Sequence, residues 1–282
     1  MVTPSSFAIT TVNVNGIRAA VKQRNENNHG MIPWLSSELP DVLLMQEVRA
    51  DEATARKALA SALDAGWHLS MAESDVKGRS GVGILSRTAP TAVRIGFGSD
   101  EFDTAGRYLE ADFELGGETV TAASLYLPSG AARTENPKDV EKYEEKVRFL
   151  DEFGPYLDRL LASGRQIVIA GDWNIAHDER DIKNWKGNRK NSGFLPHERD
   201  WVSARLDSGW VDVAREHHGD VDGPYAWWSW RGKAFDNDAG WRIDYHLVSP
   251  ALAGRATRTH VGRAQAYDRR WSDHAPVTAV FG

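Results

Sequence analysis

The chain of 282 residues contains no cysteine, which excludes disulfide bonds and thiolate metal sites. It also lacks any run near the ~20 apolar residues that a membrane-spanning helix requires. Residues 1–6 contain neither the basic segment nor the apolar stretch of a secretion signal. From these absences we expect a soluble, cytoplasmic protein.

Linkers are missing as well. No stretch rich in Pro, Gly and Ser, no low-complexity tract and no short repeat interrupts the sequence. A hydrophobic content of 41% is enough to bury a full core. The length would allow one large α/β domain or two smaller ones, and without a linker we expect residues 1–282 to form one.

Basic residues are fewer than acidic ones: the chain has 34 Lys and Arg and 40 Asp and Glu, which gives a formal net charge of −6. Proteins that coat nucleic acid non-specifically depend on many Lys and Arg contacts to phosphate, so that class is disfavoured. A local basic face remains open. An acidic total is also what a cluster of metal-binding carboxylates would produce.

The sequence does contain polar residues placed directly after apolar strands. Ile167-Val168-Ile169-Ala170 predicts a strand buried on both faces, and Gly171-Asp172-Trp173-Asn174 follows it at once. Ligands of open α/β sheets bind where strands end, so this carboxylate and carboxamide are candidate site residues. The alternative is an ordinary turn, in which Gly, Asp and Asn are common.

Two earlier strands have the same form. Residues 7–12 are followed by Asn13 and Asn15, which lie two residues apart and so point the same way on an extended backbone. Their amides can orient a phosphate, a water or a carboxylate, although an Asn-Gly turn is the simpler explanation. Residues 41–45 end in Gln46-Glu47. A carboxylate at that place must be solvated, paired or bound to a cation, so Glu47 is a candidate Mg²⁺ ligand or a salt-bridge partner of Arg49 or Lys77.

A phenol and an imidazole extend the pattern. Tyr126 ends a strand just before a Pro-Ser-Gly turn, where its hydroxyl could donate to an oxyanion. His274 belongs to the only Asp-His dipeptide of the chain, and Asp244, on another predicted strand, could fix its tautomer. Each residue also has an ordinary structural explanation, as a strand-end aromatic or as a surface or core histidine.

Two further stretches suit a nucleic-acid substrate. Residues 183–191 carry four positive charges interleaved with Trp and Asn, which suits phosphate contacts and stacking or simply a solvated loop. Residues 225–231 contain three Trp. On a strand, where side chains alternate between the faces, Trp228 and Trp230 would share one face and Trp227 would lie on the other. Such a strand could fill a core on one side and form the floor of a pocket on the other.

Hydrophobic periodicity predicts the other elements of the α/β fold. Residues 22–30 are polar and predict a surface loop. Helices are predicted over residues 31–39, 51–65, 138–162 (kinked at Gly154-Pro155) and 196–206. Strands are predicted over 67–71, within 78–86, over 92–97, 107–113 and 118–125 as an antiparallel meander, and over 240–248.

Six of these stretches, in this order, resemble the motifs of the exonuclease III family of apurinic/apyrimidinic endonucleases, within the endonuclease/exonuclease/phosphatase superfamily. They are Asn13-Val14-Asn15-Gly16-Ile17-Arg18, Gln46-Glu47, Tyr126-Leu127-Pro128, Gly171-Asp172-Trp173-Asn174, Trp241-Arg242-Ile243-Asp244-Tyr245 and Ser272-Asp273-His274-Ala275-Pro276-Val277. The resemblance implies a two-sheet α/β sandwich with helices on the outer faces and the active site at one rim.

The resemblance also implies a function. Members of this family cleave duplex DNA on the 5′ side of an abasic site and leave a 3′-hydroxyl, and 3′→5′ exonuclease and 3′-repair activities vary among them. It implies Mg²⁺ as cofactor, with Mn²⁺ as a substitute, duplex DNA as partner, no membrane partner and a monomeric state.

Roles follow by position. Glu47 is implied as the main metal ligand with Asn15 and Asp273 near the metal, and Asp172 as the group that orients or deprotonates the attacking water. Asn174 is implied to hold the phosphate and Tyr126 to stabilise the transition state. His274, oriented by Asp244, is implied to bind a phosphate oxygen or to help deprotonate the water. The implied substrate-binding set is Asn13, Arg18, Lys186, Arg189, Asn191, Trp227, Trp241 and Ile243, of which Trp227, Trp241 and Ile243 wall the pocket for the flipped abasic sugar.

The chain departs from the family pattern at two places. Ser129 stands where an amide side chain often follows the Tyr-x-Pro turn, so one phosphate contact is shorter or runs through water. The loop of residues 22–30 is longer than usual and alters DNA contacts or adds none. Two other hypotheses remain open: a hydrolase of another phosphoester, such as an inositol phosphate or a sphingolipid, and a DNA-binding module that does not cut.

Overall fold

Two six-stranded sheets lie face to face in the computed structural model, which describes residues 6–132 and 134–282. The first sheet has the strand order β11-β12-β1-β2-β4-β3 and the second the order β5-β6-β7-β8-β10-β9. The strands are β1 (Phe7–Asn13), β2 (Val42–Gln46), β3 (His68–Ala72), β4 (Val82–Ser86), β5 (Ala92–Ile95), β6 (Tyr108–Leu115), β7 (Glu118–Tyr126), β8 (Ile167–Asp172), β9 (Val211–Asp212), β10 (Asp244–Val248), β11 (Ala256–Val261) and β12 (Val277–Phe281).

Helices cover the outer faces of the two sheets, and two short ones, Val213–His218 and Pro250–Ala253, contribute side chains to the core between the sheets. They are α1 (Ile17–Ala20), α2 (Met31–Glu38), α3 (Glu52–Ala58), α4 (Ala60–Asp64), α5 (Pro137–Ala162), α6 (Trp185–Asn188), α7 (Pro196–Asp207), α8 (Val213–His218) and α9 (Pro250–Ala253). Short 3₁₀ helices span Glu179–Asp181 and Tyr267–Arg269. Among the described residues, no helix combines the length and the apolar character needed to cross a bilayer.

The apolar core has three layers. Side chains such as Ile9, Leu44 and Phe113 fill the space between the two sheets. Leu43 and Met45, which alternate with Leu44 along β2, point the other way and pack with residues from α1 to α4. A third cluster, rich in aromatic rings, joins α5 and α7 to the outer face of the second sheet. The predicted two-sheet sandwich with outer helices is therefore confirmed, as is the burial of β8 on both faces.

The sheet topology brings several strand ends to one rim. β1 runs parallel to β2, and β7 runs parallel to β8, so each pair ends on the same side of its sheet. β10 is antiparallel to β8 and begins where β8 ends, with Asp244 opposite Asp172. β12 likewise begins beside the end of β1, with Val277 opposite Thr11. The polar residues that follow or precede these strands therefore meet.

Some predicted elements differ from the structure. Residues 225–231 do not form a strand, because Trp227 makes only isolated bridges to Trp241 and His274 and the chain bends at Trp230. The predicted helix over 51–65 is interrupted at Leu59, and β10 begins only at Asp244. The α5 helix is continuous through Pro155, as predicted, and the kink at Gly154-Pro155 stays a prediction. Part of the basic stretch 183–191 is helical, as α6.

The polar loop of residues 22–30 lies against the segment that leads into β12. Asn28 is buried and donates to the backbone carbonyl of Arg270, at 2.8 Å. Arg24 donates to the carbonyl of Trp271, at 3.0 Å. The loop therefore supports the chain just before Asp273.

Gly171 in β8 pairs with Leu125 in the neighbouring strand β7. A Cβ atom at this position would lie 1.9 Å from the carbonyl oxygen of Leu125 in the neighbouring strand. Backbone atoms cannot give way as a side-chain tip can, so only glycine fits. The next residue is Asp172, and its position at the rim depends on this tight pairing.

We predict that Gly171→Ala lowers the free energy of unfolding by about 2 kcal/mol or more, as overpacked sites do. The matched control is Gly187→Ala in α6, where an added Cβ meets nothing within 4 Å and a change within about 1 kcal/mol is expected. Urea denaturation followed by tryptophan fluorescence measures both. Equal stabilities of the two variants would contradict the packing argument.

Candidate active site

One carboxamide joins the two sheets at the rim. The side chain of Asn13, at the end of β1, donates from Nδ2 to Glu47 Oε1 at 2.9 Å and to Asp172 Oδ2 at 3.0 Å. Its Oδ1 accepts from the backbone N–H of Asn15, at 2.9 Å. Asn13 is 1% exposed and does not line the cavity described below. The amide thus orients two carboxylates, and its predicted contact with substrate stays a prediction.

Three of the strand-end residues adopt the left-handed conformation. The φ angles are +48° at Asn15, +50° at Glu47 and +50° at Asn174. This region is uncommon for residues other than glycine, and Asn tolerates it better than Glu does. Non-glycine residues held there cluster at functional sites. These residues lie one or two positions after the ends of β1, β2 and β8.

Glu47 is held by groups from two sheets. Its Oε1 accepts from the hydroxyl of Tyr126 at 2.7 Å as well as from Asn13. Its Oε2 is buried and accepts no hydrogen bond, although the guanidinium of Arg49 forms an ion pair with it. The salt bridge to Arg49, which the sequence left as an alternative, is present. Burial and then the nearby charge of Glu47 raise the pKa of the Tyr126 phenol well above its usual value, so the phenol keeps its proton.

Two acids flank the imidazole of His274. Its Nδ1 lies 3.0 Å from Asp244 Oδ2, and its Nε2 lies 3.8 Å from Asp172 Oδ2. Burial opposes a charge on this ring, but Asp244 and then Asp172 outweigh it and raise the pKa of His274 to about 10. Burial also raises the pKa of Asp172, and the neighbouring charge of His274 works against that rise. The predicted pairing of Asp244 with His274 is confirmed.

The remaining acid of the rim, Asp273, is fixed from two sides. Its Oδ1 accepts from Asn15 Nδ2 at 2.8 Å, and its Oδ2 accepts from the indole N–H of Trp227 at 3.2 Å. Burial raises its pKa, but the charge of His274 and the two hydrogen bonds prevail and lower it. Asp273 is therefore ionised at neutral pH.

These groups surround a cavity of about 550 Å³. The rings of Trp227 and Trp241 stand edge to face, with centroids 5.9 Å apart, and form an apolar wall with Ile243. The ring of Trp227 is also 6.4 Å from that of His274. The lining residues that the sequence predicted as site residues are Glu47, Tyr126, Asp172, Asn174, Asn191, Trp227, Trp241, Ile243, Asp273 and His274.

Three predicted substrate contacts lie outside this cavity. Arg18 is exposed on α1. Lys186 and Arg189 are exposed on or next to α6, each within 6 Å of the Trp185 ring, at 5.6 and 5.8 Å. Their contacts with substrate stay predictions.

Several lining residues were missed by the sequence analysis. Ser192 and Gly193 lie in a turn that gave no chemical signal. Arg107 lines an adjoining cavity that shares Glu47 and Tyr126 with this one. Its guanidinium lies 4.9 Å from the Tyr126 ring and bonds to Glu145 at 2.9 Å. Arg107 precedes β6 and Tyr126 ends β7, so only the strand pairing reveals this contact.

A metal site built from the residues present would be an open one. No group of three or more Asp, Glu or His suited to holding a metal by itself occurs in residues 6–132 and 134–282. Mg²⁺, however, is commonly bound by one or two carboxylates and several waters. Glu47 and Asp273 both line the cavity, and the buried Glu47 Oε2 accepts no hydrogen bond but forms an ion pair with the guanidinium of Arg49, whose place a cation could take. The donor set therefore fits a hard cation.

Comparisons with known proteins agree with this geometry. A family model described as the Endonuclease/Exonuclease/phosphatase family matches residues 10–274. The chain is 30% identical over 269 residues to an exodeoxyribonuclease of Bacillus subtilis, covering 95% of this chain and 97% of the relative.

Two solved structures are similar over almost their whole length. One is an AP endonuclease from Archaeoglobus fulgidus, 30% identical, with a TM-score of 0.82 and coverage of 98% of this chain and 99% of that one. The other is a 3′ phosphatase, NExo, from Neisseria bound to a product DNA hairpin. It is 29% identical, with a TM-score of 0.82 and the same coverage, 98% and 99%.

We predict that His274 stays protonated at pH 8 in the metal-free protein. Because its folded-state pKa lies above the ordinary value of 6.5, the imidazolium stabilises the fold below pH 6.5, and this contribution is lost as the pH rises toward 10. Asp244→Asn should move the titration down toward 6.5. NMR titration of the imidazole carbons measures the midpoint.

The internal control is His246, whose pKa burial lowers to about 4, so that it stays neutral where His274 is charged. A midpoint for His274 near 6.5 in the native protein would contradict the electrostatic assignment.

Proposed function

The chain belongs to the Endonuclease/Exonuclease/phosphatase family, and we propose that it hydrolyses the phosphodiester bond on the 5′ side of abasic sites in duplex DNA, leaving a 3′-hydroxyl. It is a hydrolase of the nuclease class, like the relatives it matches. The observation that carries the abasic specificity is the apolar wall of Trp227, Trp241 and Ile243 directly beside His274 and Asp172.

An apolar wall next to the reacting groups suits a sugar that has been turned out of the helix. Extruding a nucleotide costs least when it has no base to unstack and unpair. The sequence of the surrounding DNA does not enter this selection. The relative from Archaeoglobus fulgidus, which is an AP endonuclease, supports the same substrate.

Asp172 is the group suited to activate the attacking water. Its carboxylate is buried, and its Oδ1 and Oδ2 are oriented by the N–H of Asn174 at 3.0 Å and by Asn13 at 3.0 Å. Burial raises its pKa, which makes the ionised form a better proton acceptor. The water loses its proton to Asp172 as its oxygen bonds to phosphorus, and the bond from phosphorus to the 3′-oxygen breaks on the opposite side. The departing 3′-oxygen takes up a proton from solvent and becomes the 3′-hydroxyl.

His274 is the charged donor for the phosphate. As an imidazolium held by Asp244, it presents Nε2 toward the cavity and already carries the proton that a base would need to accept. Of the two open assignments for the water-activating base, we therefore propose Asp172. His274 donates to a non-bridging oxygen, and the neutral phenol of Tyr126 donates to the charge that develops in the transition state.

Glu47 and Asp273, with the amide of Asn15, are the residues that would hold the cation. The family is one of metal-dependent nucleases, and we propose Mg²⁺, with Mn²⁺ as a substitute, because all the donors are oxygen atoms. When bound, the cation supplies positive charge for the phosphate oxygens.

The same site is suited to hydrolyse phosphoesters at the 3′ ends of DNA strands. A phosphate or a nucleotide at a 3′ terminus offers the same phosphoester to Asp172 and His274, without a downstream strand to displace. The similar structure from Neisseria is a 3′ phosphatase, and the Bacillus subtilis relative is an exodeoxyribonuclease. We therefore include 3′→5′ exonuclease and 3′-repair activities in the proposal.

We predict that the purified protein nicks a duplex containing a tetrahydrofuran abasic analogue in the presence of Mg²⁺, and that EDTA abolishes the nicking. Denaturing electrophoresis of labelled strands measures the product. If the protein left the abasic duplex uncut but hydrolysed inositol phosphates, the proposal would be wrong and a phosphoesterase function of the same superfamily would be favoured. Tight binding without cutting would indicate a DNA-binding module.

We predict that Asp172→Asn lowers the rate of nicking by about 10²–10⁴-fold, the range typical of a lost general base. Glu47→Gln should raise the Mg²⁺ concentration needed for half-maximal rate. The matched controls are Asp64→Asn on α4 and Glu38→Gln on α2, both exposed and expected to leave the rate unchanged. Unaltered cleavage by Asp172→Asn would refute the assigned role.

A further inference from the structure

A buried ion pair lies behind the cavity without lining it. The side chains of Lys146, on α5, and Glu198, on α7, are 2% and 1% exposed, and Lys146 Nζ is 2.7 Å from Glu198 Oε1. Charged side chains are almost never fully buried without a partner. Neither residue belongs to the motifs that the sequence analysis identified.

The ammonium of Lys146 uses all three of its donors. Besides Glu198, it contacts the carbonyl oxygen of Asn174 at 2.9 Å and the hydroxyl of Ser192 at 3.3 Å. A lysine has three donors and no acceptor, so the group is satisfied. It connects α5 to the end of β8 and to the turn of residues 191–195.

Glu198 accepts hydrogen bonds from the same turn of residues 191–195. Its Oε2 accepts from the backbone N–H groups of Gly193, at 2.7 Å, and Leu195, at 2.9 Å. Its Oε1 lies 3.0 Å from the hydroxyl of Ser192, which is also 2.8 Å from the carbonyl oxygen of Ser129. The pair therefore joins the segments that follow β7 and β8 to the turn.

Every segment that the pair holds contributes to the cavity wall, through Ser129, Asn174, Ser192 and Gly193. The packing between them is tight, because a Cβ at Gly130 would lie 2.5 Å from Ser192 Oγ and 2.7 Å from Lys146 Cδ. Asn174 is in the left-handed conformation, with φ +50°. Such a conformation persists only when its surroundings fix it.

We propose that Lys146 and Glu198 are positioning residues, which hold Asn174 and the turn of residues 191–195 in the geometry that the phosphate requires. The inference rests on the proposed function, in which the N–H of Asn174 orients the water-activating Asp172, and on the phosphate contact that the family resemblance implies for Asn174. Three hydrogen bonds fix Asn174. Lys146 donates to its carbonyl oxygen, its N–H donates to Asp172 at 3.0 Å, and its side-chain amide donates to the carbonyl oxygen of Leu127 at 2.9 Å.

The test removes both charges together. Replacing one partner would leave an uncompensated buried charge and could unfold the protein, whereas replacing both leaves none. The variant is therefore the double substitution Lys146→Met with Glu198→Gln. The matched control is Lys138→Met, which removes an exposed lysine from the same helix.

With an abasic duplex as substrate, we expect the double substitution to lower kcat about 10²-fold, as the loss of one oriented donor does, with KM changed less than about threefold. The half-saturating Mg²⁺ concentration should not change, because Lys146 and Glu198 contact neither Glu47 nor Asp273. Lys138→Met should match the native protein. An unchanged kcat would overturn the proposal. So would a loss of Mg²⁺ affinity as large as the loss of kcat, because it would indicate that the whole site had become less ordered.

A coupling measurement tests whether the pair acts through Asn174. If it does, adding the double substitution to Asn174→Ala lowers kcat by less than about threefold, because neighbours that act as a unit are not additive. Multiplication of the two separate effects would overturn the proposal.

Hydrogen exchange gives a readout that is independent of activity. The N–H groups of Gly193 and Leu195 should exchange several-fold faster in the double variant than in the native protein or in Lys138→Met. Identical exchange would refute the inference. A native protein that leaves abasic DNA uncut would refute the proposed function alone, and the exchange result would still decide whether the pair holds the turn.

Discussion

The hydrogen bonds of Asn13 are the interaction on which the site depends. One amide nitrogen holds Glu47 from its own sheet and Asp172 from the opposite sheet, at 2.9 and 3.0 Å. Two carboxylates that share a single donor repel each other, and their repulsion grows as water is excluded. Other groups at the rim offset the repulsion between these two carboxylates. Tyr126 donates to Glu47, while His274 provides the positive charge next to Asp172.

Much of this arrangement could be predicted from the sequence. Short apolar runs identified β1, β2 and β8, and the polar residue after each run had to lie at a strand end. Asp172, Glu47 and Asn13 do meet there. The single Asp-His dipeptide indicated His274 and its pairing with Asp244, and the family resemblance placed both residues at the same site as Asp172 and Glu47. The two-sheet architecture followed from the same motifs, and the comparisons support it.

Other features could not be predicted, because they depend on contacts between distant segments. The Trp-rich stretch 225–231 alternates like a strand, but the backbone N–H groups of residues 226–228 bond to Trp241 and Asp273, which lie outside the strands. Lys146 pairs with a residue 52 positions away. One local signal existed: Lys146 lies three residues before Phe149 and four before Leu150, on the apolar stripe of α5, where an unpaired charge would be costly.

The register of β8 and β10 has an evolutionary consequence. Asp172 and Asp244 stand directly opposite each other in antiparallel strands, a placement in which like charges destabilise a sheet. His274, which lies between them, compensates for this. A mutation of any one of these three residues changes how the charges of the other two affect stability. We therefore expect these three positions to vary together among descendants of this fold, so that a lineage which abandons the chemistry loses the whole triplet and does not drift at single sites.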